Sequence, residues 1–367
     1  MNLEHKKLFF YNAIPMPHSV LLHQRLVDYG YRVNFWYYKN LTTIYPWSAL
    51  ESSVQYNVYK KKSHQVKTIF QQAAKADFII ITGWHTYLHV LLMLFAKASG
   101  KKYALWIDLH PEEKNNWKHL RNMLLLKMAP YLFITGRVGF EIIKNSYAIN
   151  TDKMRDFPYL TAEFDKVTVK EVNDERKELI ASGQKIKLLI SNRFIARKGY
   201  NIIVEAFKLI PASILSSFEI TIVGNGTEYE FFKDSFLSID KNIKLIGWIE
   251  YKEYLDYVLG CDIFLHASLV EPFGIPPMDA MACGKLVIGS SAVISCIDRI
   301  IHGVNGFIYK KEKPLELAEL LQYISRNKME IYKIGEKAFE TANIYTPAYN
   351  IVCIDEIFPK LSLQIHK

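Results

Sequence analysis

Between Cys261 and Gly289 the sequence reads CDIFLHASLVEPFGIPPMDAMACGKLVIG, and no other stretch restricts the possible folds so tightly. Ile263 to Ala267 and Leu286 to Gly289 are apolar runs of strand length. Pro276 and Pro277 between them suit the first turn of a short helix running to about Cys283, and Gly284 supplies its left-handed stop. The reading is strand, loop, helix, strand. It sets Glu271 just before the helix and Asp279 in its opening turns, beside the main-chain N–H groups of Gly274 and Ile275. Unpaired amides and the helix dipole favour an anion there, while carboxylates can hold hydroxyls. A phosphorylated sugar carries both kinds of group.

The same alternation runs through the rest of the chain. Leu8 to Ala13, Arg32 to Tyr37, Ala76 to Thr82 and Lys102 to Ile107 read as strands, and Tyr131 to Thr135 as a further one. Ser19 to Tyr29, capped by Ser19 and stopped by Gly30, and Tyr87 to Ala98 read as helices. Strands that alternate with helices make parallel sheets covered on both faces, whose ligands sit beyond the carboxyl ends of the strands. Pro17 and His18 in the loop after the first strand, His85 after Thr82, and Asp108 and His110 after Ile107 are therefore the side chains expected to line a cleft. Residues 160–186 turn charge-rich and lose the alternation, as an interdomain linker would. Lys187 to Ile190 then opens a second series of strands.

At 367 residues the chain is long enough for two such domains, and an apolar content of 50% with 14% aromatics leaves no case for disorder. Cys261, Cys283, Cys296 and Cys353 show no C-x-x-C spacing and sit in apolar surroundings, which points to reduced thiols and a cytoplasmic location. No run reaches the length of a membrane span. Residues 1–165 hold 21 Lys and Arg against 12 Asp and Glu, whereas residues 166–367 hold 25 of each, so the whole excess of +9 lies in the first half. A basic half beside a neutral one suggests an anionic partner. Trp117 to Met128 combines Lys118, Arg121 and Lys127 with an apolar stripe of Trp117, Leu120, Leu124 and Met128. It reads either as an interfacial helix or as one that packs its stripe into its own domain.

Several ordered segments of the second half resemble retaining family-4 glycosyltransferases of GT-B fold. Glu271-Pro272-Phe273-Gly274 with Asp279 eight positions on and Ala280-Met281-Ala282-Cys283-Gly284 after it resembles that family's E-x7-E signature, with Asp for the second Glu. Ser191 to Gly199 (SNRFIARKG) resembles its G-R-x-x-x-x-K-G segment, with Asn192 where Gly is usual. Asp298 to Phe307 (DRIIHGVNGF) resembles E-x-I-x-x-G-x-N-G-F, with Asp298 for Glu. Ala292 to Ser295 stands where the family has Gly-Gly. The loop Ile14 to His18 lacks the family's glycines.

The resemblance implies two Rossmann-like α/β domains facing across a cleft. Residues 1–165 would bind the acceptor, residues 166–345 the sugar nucleotide, and a helix within 346–367 would return to the first domain. It implies roles for Glu271, Phe273, Gly274 and Ile275 on the donor sugar and for Asp279 on the ribose. Arg193 and Lys198 would grip the diphosphate, with Arg197 facing solvent. Gly224 and Asn225 would stand near the phosphates, and Trp248 and Ile249 by the base. A histidine after the strand Lys102 to Ile107 would contact the donor sugar. Asp108 falls at that place and His110 two residues later; His110 is the candidate for chemistry, and the register between them stays open.

The implied activity is retaining transfer of a hexosyl or N-acetylhexosaminyl group from a nucleotide sugar, a UDP-sugar by expectation. The acceptor would be a hydroxyl of a glycan or lipid-linked intermediate in bacterial surface polysaccharide synthesis. The implied partners are the donor and that acceptor; the basic first half, and not the resemblance, adds the expectation of an anionic membrane surface touched peripherally, and no nucleic acid is expected. No D-x-D pair stands at a strand end and no His/Cys cluster has metal spacing, so no metal or other cofactor is expected. A sugar-nucleotide 2-epimerase of the same architecture and a non-catalytic anion-binding protein are the alternatives.

Overall fold

The computed structural model describes residues 6–39, 55–107 and 116–357, so Asp108 and His110 lie outside the described residues. The chain divides into two units: residues Met1–Leu160 with Tyr345–Lys367, and residues Thr161–Ile344.

In the first unit β1 (Lys7–Asn12), β2 (Arg32–Tyr37), β3 (Asn57–Val58), β4 (Phe78–Thr82), β5 (Lys102–Ile107), β6 (Tyr131–Ile134) and β7 (Met154–Asp156) form one parallel sheet in the order β3-β2-β1-β4-β5-β6-β7. Period-2 alternation sends successive side chains to opposite faces. Phe9, Tyr11, Ile79, Ile81 and Leu105 pack under α2 (Ser63–Lys75), α3 (Tyr87–Ala98), α4 (Asn116–Met128) and α5 (Arg137–Tyr147). Leu8, Phe10, Ile80, Ala104 and Phe133 pack against α1 (Pro17–Asp28) on the other face.

Helix α1 starts at Pro17, with Met16 as its N-cap, rather than at Ser19. Proline has no N–H to leave unpaired and its φ suits a first helical position, so it outcompetes the hydroxyl cap. Ser19 instead accepts from the Met16 N–H at 3.1 Å and donates to its carbonyl at 2.8 Å. Pro17 and His18 therefore sit in the first helical turn and not in a loop. Helix α4 buries Asn122 and Leu126, leaving Trp117, Leu120 and Leu124 exposed. Three of the four stripe residues therefore face outward, while Met128 packs against the core.

The second unit begins with α6 (Lys166–Ala181), where a linker was expected. Asp165 caps it, accepting from the Thr168 N–H at 2.8 Å. It buries Val169 and Ile180 and adds a polar anchor: buried Arg176 donates to both carboxylate oxygens of Asp262, at 3.1 and 2.8 Å, and Tyr332 donates to the same carboxylate at 3.1 Å. Then β8 (Ile186–Ser191), α7 (Tyr200–Leu209), α8 (Ala212–Leu215), β9 (Phe218–Val223), α9 (Tyr229–Ile239), β10 (Lys244–Gly247), α10 (Tyr251–Gly260) and β11 (Ile263–His266) follow. They are succeeded by α11 (Pro276–Ala282), β12 (Leu286–Ser290), α12 (Ile294–Arg299), β13 (Phe307–Tyr309), α13 (Pro314–Arg326) and α14 (Glu330–Ala342). The strands make a second parallel sheet ordered β10-β9-β8-β11-β12-β13.

After residue 344 the chain re-enters the first unit. Helix α15 (Pro347–Ile357) buries Ile351, Ile354 and Ile357 beside Leu22, Leu26 and Phe157. Asn350 donates to the Pro158 carbonyl at 2.9 Å. Two doubly wound parallel sheets are the fold class the alternation predicts. Among the described residues no helix is long and apolar enough to cross a membrane.

Candidate active site

In the second sheet the order of strands reverses between β8 and β11, which pair directly through Leu188 with Ile263 and Ile190 with Leu265. Loops leaving adjacent strands in opposite directions open a crevice at such a point, and ligands of α/β sheets bind there. The two loops that meet are residues 192–199 and 267–275. They bring Lys198 and Glu271 together.

Lys198 and Glu271 are an ion pair, both largely buried. The first loop closes on a short turn, Ala196–Lys198, ended by Gly199 at φ 72°. A Cβ at 199 would run into the Ala267 carbonyl, so only glycine lets the loops approach closely enough. Glu271 is fixed by main-chain bonds to the segment before α12: its N–H donates to Ala292 at 3.2 Å and its carbonyl accepts from Ile294 at 3.4 Å.

Around the carboxylate stand Ser268 Oγ at 3.1 Å, His266 Nε2 at 3.5 Å and Arg197 Nη1 at 3.6 Å. Arg197, expected to face solvent, is half exposed yet held over Glu271 by its bond to the Val270 carbonyl at 3.1 Å. Arg193 is near enough for its charge to act on Lys198.

Burial alone would raise the Glu271 carboxyl. Hydrogen bonding from His266 and the Lys198 charge outweigh it and hold the group well below the usual carboxylate range. Burial lowers the Lys198 ammonium against the pull of Glu271. His266 is fully buried and kept neutral mainly by desolvation. Its tautomer follows from its neighbours: Asn192 Nδ2 donates to Nδ1 at 3.1 Å, which leaves the proton on Nε2, facing Ser268 at 3.2 Å and Glu271.

The segment after Glu271 is shaped to offer N–H groups. Gly274 adopts φ 93°. Ser295 ties down the carbonyls, its N–H donating to Phe273 at 2.9 Å and its hydroxyl to Gly274 at 2.6 Å. The N–H groups of Gly274 and Ile275 make no hydrogen bond among the described residues. Cations, a carboxylate and free amides thus share one crevice, a donor set suited to a diphosphate joined to a polyol.

The neighbouring turn supports the first loop. Phe194 N–H donates to the Asn225 carbonyl at 3.1 Å, and a Cβ on Gly224 would strike the Asn192 carbonyl. Gly224 and Asn225 therefore stand against residues 192–194. Trp248 and Ile249 follow the end of β10 and are half-buried.

Asp279 is placed differently from the open ribose contact that the resemblance implies. Its carboxyl is 1% exposed and accepts from the Ala162 N–H at 2.8 Å and the Tyr254 hydroxyl at 3.4 Å. Burial pushes it up to about 7 against those two bonds. The position on α11 faces α10, so the side chain turns into the unit.

In the first unit, the His18 ring lies tilted against Tyr159, with centroids 4.2 Å apart. His85 is exposed after β4, with Gly83 at φ 64° behind it. Both lie at carboxyl ends of that sheet's central strands. Among the described residues no cluster of three or more His, Cys, Asp or Glu could hold a metal ion.

His266, Asn192, Ser268 and Ser295 are the members sequence reading missed. A histidine closing an apolar strand at the carboxyl edge of a parallel sheet was the available signal.

Residues 171–341 match the family described as Glycosyl transferases group 1. An uncharacterised glycosyltransferase of Methanocaldococcus jannaschii is 24% identical over 323 residues, which is 83% of this chain and 81% of that protein. Among solved structures, Anabaena HepE in complex with UDP superposes with a TM-score of 0.74 at 16% identity, covering 96% of this chain and 99% of that one. HepE with UDP-glucose gives 0.71 at 16%. The lipopolysaccharide outer core galactosyltransferase WaaB gives 0.67 at 15% identity, covering 97% of this chain and all of that one. The fold is GT-B, and the likenesses support the glycosyltransferase class.

Proposed function

We propose that the second unit, which carries the group 1 glycosyltransferase domain, binds a nucleotide sugar and that the protein transfers its sugar to an acceptor hydroxyl. The observation that carries this reading is the buried Lys198–Glu271 pair beside the free Gly274 and Ile275 amides, at the strand-order reversal of the second sheet. UDP is the base carrier best supported, since HepE is solved with UDP and with UDP-glucose. A glycan or lipid-linked acceptor in surface polysaccharide synthesis fits the likeness to WaaB.

In the proposed reaction the bond from the anomeric carbon to the β-phosphate oxygen breaks, and its electron pair stays on the phosphate. Negative charge grows there, and Lys198 with Arg193 lowers the barrier by meeting it with fixed positive charge. The acceptor oxygen bonds to the anomeric carbon from the face the phosphate leaves, and its proton passes to that phosphate oxygen. Configuration is thereby retained, and no carboxylate has to act as nucleophile. Glu271, kept ionised, accepts from hydroxyls of the donor sugar, and neutral His266 with Ser268 holds it in place. His110 keeps the proposed role of orienting the donor sugar. Asp108, His85, Pro17 and His18 remain candidates for the acceptor side.

Thermal-shift measurement with UDP-, GDP- and dTDP-sugars tests the donor, because a ligand bound by the folded protein alone raises its melting temperature. UDP-sugars are expected to give the largest rise. Lys198→Ala and Glu271→Ala, checked for folding by their melting temperatures, should each lower kcat/KM by about 10²-fold or more, with transfer persisting in EDTA. No stabilisation by any nucleotide sugar would overturn the reading.

A further inference from the structure

The first unit is not uniformly basic, and the distribution of its charge follows the layers of the fold. Helices α2, α3, α4 and α5 cover one face of the first sheet. Together they carry eight lysines and arginines and a single acid, Glu141. All eight cations are exposed. Helices α1 and α15 cover the opposite face and carry one cation, Arg25, against Asp28, Asp355 and Glu356. Folding thus sorts a diffuse excess of charge onto one side.

That side also exposes apolar residues in two helical stripes. On α3, Tyr87 is 62% exposed, Leu91 45% and Leu94 48%; on α4, Trp117 is 78% exposed, Leu120 39% and Leu124 59%. The spacings of four, three, three and four residues keep each stripe on one side of its helix. Helices α3 and α4 are successive crossovers on the same sheet face, between β4 and β5 and between β5 and β6. Their outward stripes belong to one layer. Lys97 continues the first stripe, while Lys118, Arg121 and Lys127 flank the second.

We infer that the α2–α5 face of the first unit docks on an anionic phospholipid surface, with the α3 and α4 stripes entering the interface and the surrounding cations meeting the headgroups. Charge complementarity selects an anionic partner. The choice of a membrane over a nucleic acid comes from the stripes: leucines and an aromatic at the outermost positions of a helix have a place among acyl chains and none along a phosphate backbone. The lysine and arginine stems lie along apolar surface while their heads stay wet. This inference stands apart from the sugar-transfer reading, since docking requires neither donor nor acceptor.

The test is sedimentation of the full chain with phosphatidylcholine vesicles, with and without phosphatidylglycerol, at low and at physiological salt. Partitioning should need phosphatidylglycerol and weaken with salt. Each cation near the leaflet is worth about fivefold in partitioning, so Lys118→Ala with Arg121→Ala should lower it by about 25-fold. Trp117→Ser with Leu124→Ser, both at exposed positions, should weaken it about tenfold or more. Arg25→Ala, which removes a charge from the opposite face, should leave it unchanged. Failure to sediment with anionic vesicles at low salt would overturn the inference. So would an Arg25→Ala effect as large as that of the α4 variants. Binding to a short DNA duplex that outcompetes the vesicles and ignores Trp117→Ser with Leu124→Ser would overturn it in favour of a nucleic acid.

Discussion

Asp279→Asn separates the structural role seen for this residue from the ligand contact that motif resemblance implies. Asn keeps the size of the side chain and an oxygen that can accept from the Ala162 N–H, so the change removes the titration and little else. In the folded protein the carboxyl is raised from its usual 3.8 to about 7 by burial. A carboxyl raised on folding contributes stability that is complete below the unfolded value and is lost as pH rises through the folded value. The loss therefore falls between about pH 4 and pH 7, a span of about 3 units at about 1.4 kcal/mol each, or about 4 kcal/mol in all.

Relative to wild type, Asp279→Asn should gain about 1.4 kcal/mol per pH unit across that window and nothing further above it. Hydrogen exchange of the β12 amides, read on both proteins at each pH so that intrinsic rates cancel, gives the difference within the second unit. A difference that does not change between pH 5 and pH 8 would refute the reasoning, because it would mean the carboxyl titrates alike in folded and unfolded chains. UDP affinity supplies the second readout. Unchanged binding fits the inward placement, and a loss of about tenfold or more, an energy near 1.4 kcal/mol, fits a ribose contact.

Gly199→Ala should destabilise the second unit by roughly 2–5 kcal/mol, from the left-handed backbone and the collision with the Ala267 carbonyl, and should lower transfer because Lys198 is the next residue; urea unfolding and kcat/KM check it. Ile354→Asp places a charge at a site with 0% exposure in α15. The first unit should then lose roughly 3 kcal/mol or more, seen in tryptophan fluorescence, since Trp36, Trp84, Trp106 and Trp117 belong to that unit.

The alternation of apolar runs with amphipathic ones made both sheets legible in the sequence, because parallel strands buried on two faces leave a continuous signal. Family resemblance singled out Glu271, Lys198 and Arg193, and in the fold Lys198 pairs with Glu271; the roles proposed for the three rest on that resemblance. What spacing could not convey is the side of a helix that meets a neighbour: Asp279 holds its place in the motif yet turns towards Tyr254. Helix α6 was misread as a linker because charged residues crowd its sequence, and one of them, Arg176, is buried as an anchor on Asp262 beside Val169 and Ile180. The cation-bearing face was hidden for a related reason. Net charge can be counted along a chain, but its sorting onto one layer depends on which crossover each helix makes.

Because α15 completes the first unit, the second unit is an insertion within it, and order of synthesis runs against order of completion. A ribosome delivers every residue of 161–344 before it delivers the helix whose Ile351, Ile354 and Ile357 join the apolar cluster of Leu22, Leu26 and Phe157. The half made first must wait, with one apolar flank uncovered, for the half made second. An excised 161–344 is a contiguous gene segment, whereas a working first half can be assembled only by joining two separated pieces.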